Sequence, residues 1–295
     1  NYATEVAVVG DLKLALAEVN AVLDARDQGA EPFGGAAAVA AARTAKRAAF
    51  DRLAQSTATP IRPERVIAAL MKALPPDATI VSDPGTSCPY FSAHYVLPQP
   101  GRHFITNRAH GALGYALSAA LGAWYGRPAS KTVALMGDGS FGFTVGELET
   151  ICRSRAPITF IVFNNSNFGW IKASQHAGRD ARYYNVDFNR TDNAAIAAAY
   201  GVKSWKVENP DDLERVMREA VAHDGPTLID VQVQALEDVI CFTFLTWYFA
   251  PFAAKHPAEK VLDIVQKTAR KMSDEARARV RAEFDLPADL AAAFA

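Results

Sequence analysis

A doubly wound α/β domain, with six parallel strands, helices on both faces of the sheet and a helical C-terminal extension, is the architecture this 295-residue sequence predicts. Three observations lead there. Two apolar runs, 132–136 and 158–163, are long enough for strands buried on both faces, and each stops abruptly in small polar residues, Gly137-Asp-Gly-Ser140 and Asn164-Asn165. Between them Thr144 and Glu147 are spaced as a capping box ahead of the periodic Val145, Leu148, Ile151 and Cys152, which predicts a joining helix of about ten residues. Further short strand signals alternate with helical ones on either side, the pattern of right-handed crossovers in a parallel sheet.

The elements follow in order. Residues 5–10 read as a short strand, and Asp11 caps an apolar-periodic helix through Leu14, Leu16, Val19 and Leu23. From 26 to 60 the composition shifts to Ala, Gly and scattered charge; 36–53 fits a helix, although a linker is the simpler reading. Pro63 opens a helix whose Val66, Ile67, Leu70, Met71 and Leu74 share one face. Strand 79–82 ends in Asp83-Pro-Gly-Thr-Ser87. A brief strand, 104–106, ends in Asn107-Arg-Ala-His-Gly-Ala-Leu-Gly114 and leads into a small-residue helix, 115–125. Beyond Asn165, Asp192 caps an alanine-rich helix that Gly201 ends, 204–207 is a strand, 211–222 an amphipathic helix and 227–233 the last strand. In the tail, 239–252 is aromatic-rich, 260–272 is an amphipathic helix, and Ser273 caps a charged helix through Val280 to Phe284.

Composition narrows the function classes. Half the residues are hydrophobic, ample for a buried core, and 31 basic against 32 acidic residues leave no electrostatic footprint for nucleic acid or anionic lipid. Cys88, Cys152 and Cys241 lie far apart without zinc-type spacing, which suits reduced thiols. The apolar run 239–254 is under 18 residues and carries Pro251, against a membrane span. With no leader-like opening, a cytoplasmic location is the expectation.

In an open parallel sheet, ligands bind beyond the carboxyl ends of the strands, so Asp138 and Asn165 are expected to meet. A carboxylate and a carboxamide beside backbone carbonyls make an all-oxygen site for a hard cation such as Mg²⁺, which leans on water and phosphate for its other ligands. Gly137 and Gly139 allow close approach, and the amides of Gly139 and Ser140 can donate to phosphate oxygens at a helix start. The implied ligand is a diphosphate with its metal.

Gly137-Asp138-Gly139-Ser140 followed by Asn164-Asn165, with Asn165 27 positions after the aspartate (138 to 165), resembles the signature of thiamine diphosphate enzymes. The stretch 60–233 is similar to the diphosphate-binding domain of the pyruvate oxidase and acetolactate synthase superfamily. The resemblance implies thiamine diphosphate and Mg²⁺ as cofactors, with Asp138, Asn165 and the backbone carbonyl of Asn167 on the metal. It places Gly137, Gly139 and Ser140 on the diphosphate, and Gly85, Thr86 and Ser87 beside its terminal phosphate, where a plain Pro-Gly turn with a helix cap is the alternative. It gives the Gly111 carbonyl to the aminopyrimidine and makes Leu113 the wedge that keeps the two rings bent together; a core role is the alternative for Leu113.

His110 departs from the family's usual residue; it either faces the substrate or is an ordinary surface histidine. Lys172 and Gln175 fall near the substrate side. Ser174 precedes Gln175 where acetolactate synthases carry a tryptophan, and Trp170 stands displaced from that place, so the substrate stays open.

By the same resemblance, 1–25 is the remnant of a preceding central domain, 26–60 a linker, 61–235 the thiamine diphosphate-binding domain and 236–295 an extension that serves as a lid or a subunit contact. The glutamate with which the family protonates the pyrimidine belongs to another domain and has no counterpart here. The chain is therefore expected to work with a polypeptide carrying the pyrimidine-binding domain, either a separate subunit or another part of a longer chain. The expected activity is acetolactate synthase-like: decarboxylation and carboligation of 2-oxo acids, or cleavage of 2-hydroxy carbonyl compounds. The alternatives are a 2-hydroxyacyl-coenzyme A lyase and a cofactor-binding regulatory module without chemistry. A nucleotide-binding Rossmann domain is disfavoured, since its glycine-rich turn and ribose-binding acid are missing.

Overall fold

A computed structural model describes residues 4–26, 35–107, 109–179, 182–234, 249–269, 272, 274–284 and 286–294. It divides into two compact units, Asn1–Ala48 and Ala49–Ala295.

In the first unit Asp11 caps helix α1 (Leu12–Arg26) as expected, its Oδ1 accepting from Leu14 N at 3.0 Å. The strand expected at 5–10 does not form. Among the described residues nothing pairs with that segment, and an extended backbone without a partner strand prefers water for its amides. The alanine-rich stretch read as a linker is helical over Gly35–Ala54 (α2), where the high helix propensity of alanine prevails.

The second unit is built on a six-stranded, all-parallel sheet of β1 (Thr79–Ser82), β2 (Phe104–Thr106), β3 (Thr132–Gly137), β4 (Thr159–Asn164), β5 (Lys203–Val207) and β6 (Thr227–Gln232), in the order β2-β1-β3-β4-β6-β5. Alternate residues of each central strand point to opposite faces. Val133, Leu135, Ile161, Phe163, Ile229 and Val231 join one core with Val66, Ile67 and Leu70 of α3 (Pro63–Ala73), Phe91 of α4 (Ser87–His94) and Leu213, Val216 and Met217 of α10 (Leu213–Val221). Ala134, Met136, Phe160, Val162 and Leu228 join the other, under α5 (Tyr115–Gly126), α7 (Leu148–Arg153) and α9 (Asn193–Ala199). Both faces are thus covered, as continuous apolar strands require. Phe160 is fully buried. Phe160→Ala is expected to cost about 3–5 kcal/mol, read as a lower urea midpoint with an unchanged slope.

The β3–β4 connection departs from expectation in detail. A helix, α6 (Asp138–Thr144), begins directly off β3, and a 3₁₀ turn at Val145–Glu147 leads into α7. Thr144 makes no capping bond; its hydroxyl donates to the Gly114 carbonyl at 3.0 Å, a tertiary partner that outcompetes the local one. Later caps follow the sequence. Asp192 accepts from Ala195 N at 2.8 Å to open α9, and Gly201, at φ 87°, takes the left-handed turn after it.

Of the aromatic-rich run, 239–248 lies outside the described residues, as does Ser273. Helices α11 (Phe249–Ala253), α12 (Ala258–Ala269), α13 (Asp274–Glu283) and α14 (Ala288–Ala291) gather a small core of their own around Val261, Val265, Val280, Leu290 and Phe294. No helix among the described residues is long and apolar enough to cross a membrane.

The sheet order sets the site. From β1 the chain moves outward to β2, then returns to lay β3 on the other side of β1 and proceeds to β4. The loops leaving β1 and β3 therefore diverge and open a crevice at their carboxyl ends.

Candidate active site

One cavity of about 210 Å³ occupies that crevice. The loop after β1 contributes Pro84, Gly85 and Thr86, the loop before α5 contributes Gly111 and Leu113, β3 and α6 contribute Gly137 to Ser140, and the segment after β4 contributes Asn165, Asn167 and Phe168. Gly137 pairs with Phe163 in the sheet register, so Asp138 and Asn165 leave adjacent strands at nearly the same level.

The Asp138 carboxylate is buried. Its Oδ2 accepts from Ser166 N at 2.7 Å, and its Oδ1 has no hydrogen-bond partner. Burial pushes its pKa up to about 6, and the amides donated to it only partly offset that. Ser166 adopts φ 56°, a left-handed conformation that is unfavourable for a serine. That turn is tied down on both sides, since its amide goes to Asp138 and its carbonyl accepts from Phe188 N at 3.0 Å.

Asn165 and Asn167 bond each other: Asn167 N donates to Asn165 Oδ1 at 3.3 Å, and Asn167 Nδ2 to the Asn165 carbonyl at 3.0 Å. Asn165 Nδ2 and Asn167 Oδ1 are buried without partners. Asn167 forms a single antiparallel bridge with Asp187, but the hydrogen bonds run through the neighbours, Phe168 N to the Val186 carbonyl and Phe188 N to the Ser166 carbonyl. In such a pair the residue's own carbonyl faces away from the partner strand.

Three orphaned polar atoms around one cavity are unusual in a folded interior and call for a ligand. Asn165 turns its nitrogen to the cavity because its Oδ1 accepts from Asn167 N; a half-turn of the amide would face a cation with oxygen at the cost of that 3.3 Å bond. The donor set then suits a hard cation. Among the described residues no three His, Cys, Asp or Glu side chains gather as a metal site, so a cation at Asp138 would draw its other ligands from amide, carbonyl and ligand oxygens. At Gly139 the tight neighbour is the chain itself: a Cβ there would lie 2.5 Å from Phe168 Cε1, a ring that also walls the cavity. These residues fit a metal-bound diphosphate.

The remaining candidates divide. Leu113 is half-buried, lines the cavity and lies 3.8 Å from where a Gly85 Cβ would stand, so it belongs to the cavity wall rather than the core. Gly111, at φ 66°, also lines it. Ser140 lines it too, its hydroxyl near enough to the Asp83 carboxylate to favour the ionised form. Ser87 is turned into the core as the first residue of α4, 3.4 Å from the Ser82 hydroxyl. His110 lies in an adjoining cavity of about 360 Å³ that shares Pro84, Gly111 and Trp170 with the first. Gln175, on α8 (Gly169–Gly178), is clamped to the Tyr184 backbone, donating to its carbonyl at 3.1 Å and accepting from its amide at 2.8 Å. Lys172 pairs with Asp187 at 2.8 Å.

Two supports escaped the sequence reading. Asn164, the first of the asparagine pair, points away from Asn165 as strand alternation requires, and donates to Asp230 Oδ2 at 3.2 Å and to the Thr191 carbonyl at 3.1 Å. Asp230 also accepts from Asn193 N and Nδ2, and its pKa is raised by burial. The signal was a lone acid inside an apolar strand. The second is Asp83, which ends β1 as Asp138 follows β3.

The family described as "Thiamine pyrophosphate enzyme, C-terminal TPP binding domain" matches residues 83–231. This chain belongs to that family. A domain of unknown function (DUF4202) matches 190–293. The acetolactate synthase of Bacillus subtilis is 33% identical over 177 residues, 60% of this chain and 31% of that protein. The benzoylformate decarboxylase of Pseudomonas aeruginosa is 30% identical over 178 residues, 60% of this chain and 33% of that protein. Among solved structures, the thiamine diphosphate-dependent 4-hydroxybenzoylformate decarboxylase of Rhodococcus jostii superposes with a TM-score of 0.57 at 26% identity, covering 60% of this chain and 33% of that one. The matched region spans about a third of these relatives' length.

Proposed function

We propose that this chain forms the diphosphate and Mg²⁺ half of a thiamine diphosphate active site, in an enzyme that decarboxylates or carboligates 2-oxo acids in the manner of acetolactate synthase. The observation that carries the reading is the set of unpartnered buried atoms on Asp138, Asn165 and Asn167 around one cavity at the β3 and β4 ends. The named activities of the relatives, acetolactate synthesis and decarboxylation of benzoylformate, itself a 2-oxo acid, support the substrate class.

Asp138, Asn165 and the Asn167 carbonyl hold the metal; the amides of Gly139 and Ser140, with Gly85 and Thr86, hold the diphosphate. The Gly111 carbonyl and Leu113 support the ring end. The bound cofactor supplies a nucleophilic carbanion and an electron sink for making or breaking a carbon–carbon bond next to a carbonyl. His110 and Trp170 wall the adjoining chamber, where the substrate's carbonyl end is placed and His110 can hold or deliver a proton.

Trp170 and Ile171 line the main cavity yet are 44% and 47% exposed, which supports a second protein surface closing the site. That surface carries the pyrimidine-binding domain and its glutamate, on a partner or another part of a longer chain. Calorimetry with Mg²⁺ and thiamine diphosphate is expected to show binding by the purified chain, with no carbon dioxide released from pyruvate or benzoylformate until the partner domain is added. Turnover by this chain alone would refute the divided site.

A further inference from the structure

Asp83 closes β1 with none of its surface exposed, and backbone amides enclose its carboxylate. Oδ1 accepts from Ala116 N at 2.8 Å and Oδ2 from Gly114 N at 3.3 Å, and the Tyr115 amide and the Ser140 hydroxyl lie near enough to favour its ionised form. Gly114, at φ 84°, opens the twelve-residue α5, and its amide and that of Ala116 both donate to the carboxylate. Amides gathered in this way form an anion-binding nest, and a helix start adds its own positive end. The anion that fills this nest is a side chain of the same chain.

One carboxylate therefore sits where three of the segments that wall the main cavity meet. Its own residue leads into Pro84-Gly85-Thr86, its amide partners end the loop bearing Gly111 and Leu113, and Ser140 belongs to the first turn of α6. A buried charge is retained only where its hydrogen bonds are nearly complete, and here they are made by the segments whose relative placement shapes the cavity.

We propose that Asp83 is a positioning residue for the ring end of the cofactor: by filling the nest at 114–116 it holds the Gly111 carbonyl and the Leu113 side chain against the floor that carries the diphosphate. This role rests on the function proposed above. It touches the metal end least, because Asp138, Asn165 and Asn167 are held by β3, β4 and their own mutual bonds. Asparagine has the shape of Asp83, but one of its two terminal atoms is a donor and would face a nest amide. Substitution thus frees the 107–114 loop while leaving the metal end in place.

The test compares two probes on the full chain by calorimetry, Mg²⁺ with inorganic diphosphate and Mg²⁺ with thiamine diphosphate, for the parent, Asp83→Asn and Asp83→Gly. The parent is expected to bind thiamine diphosphate more tightly than inorganic diphosphate. Asp83→Asn should weaken thiamine diphosphate about tenfold or more and inorganic diphosphate several-fold less, since only part of the diphosphate cradle lies beside Asp83. Asp83→Gly should behave alike, and added formate, a carboxylate small enough for the emptied nest, should restore the preference where equal chloride does not. An equal loss for both probes would reduce Asp83 to a merely structural residue and overturn the proposal. So would an unchanged preference in both variants, or a parent that binds the two probes equally. A parent that binds neither probe overturns the cofactor reading itself, which is a different result from those.

Discussion

Asp138→Asn is expected to stabilise the chain in the absence of metal at pH 7 and above, and at the same time to abolish its response to Mg²⁺ and thiamine diphosphate. Burial raises the Asp138 carboxyl to about 6, against about 3.9 for an unfolded aspartate. The folded state therefore binds its proton more tightly. The stability this brings is complete below the unfolded value and is lost as pH rises through about 6. Asparagine carries no charge to desolvate, and its amide oxygen can still accept from Ser166 N. The expected gain is about 1–3 kcal/mol at pH 8, shrinking towards zero near pH 4, and thermal melts at the two pH values measure it. The same change removes the sole carboxylate among the proposed metal ligands. Loss of outer-shell groups alone costs metal sites about 10–100-fold, so the loss here is expected to exceed about a hundredfold. Equal melting shifts at both pH values would show that no buried charge is relieved.

The second large effect is expected at Gly139. Its absent Cβ would lie 2.5 Å from Phe168 Cε1 and 3.2 Å from the far carbon of Phe188. Phe168 cannot simply swing aside, because its ring meets Phe188 edge-on at 5.0 Å and stacks over Phe143 at 6.1 Å. Phe168 also walls the cavity, so a methyl group at 139 both overpacks the interior and moves that wall. Gly139→Ala should cost about 1–3 kcal/mol in a urea titration. It should also weaken thiamine diphosphate binding about tenfold, since sub-ångström misplacement in a preorganised site carries that scale of penalty. Phe168→Leu in the same chain makes room for the methyl group, and the double variant should recover most of the lost stability. If Gly139→Ala melts and binds like the parent, Phe168 does not pack closely on residue 139.

The sheet was readable because apolar runs of strand length, each ended by small polar residues, leave few alternatives. Met136 to Asp138 and Phe163 to Asn165 carried both the strand ends and the candidate ligands in one stretch. Ser87 and Gln175 were less legible. Both were named on the family resemblance, and side-chain direction depends on backbone geometry that a motif does not contain: Ser87 turns inward at a helix start, and Gln175 is taken up by the Tyr184 backbone. Thr144 shows the same limit, its local capping signal yielding to the Gly114 carbonyl. The strand expected at 5–10 has no neighbour among the described residues.

By itself the amino-acid order determined the parallel α/β layout, the family, and the pairing of Asp138 with Asn165 at neighbouring strand ends. These follow from periodicity and from the abrupt polar stops, which are local properties of the chain. Only the tertiary structure decided that Asp138 keeps an unpartnered oxygen, that Asn164 serves Asp230 instead of the cavity, and that Asp83 fills a nest of amides thirty residues further on. Hydrogen-bond partners and burial arise between segments that the sequence holds far apart, so they exist only once the sheet has assembled.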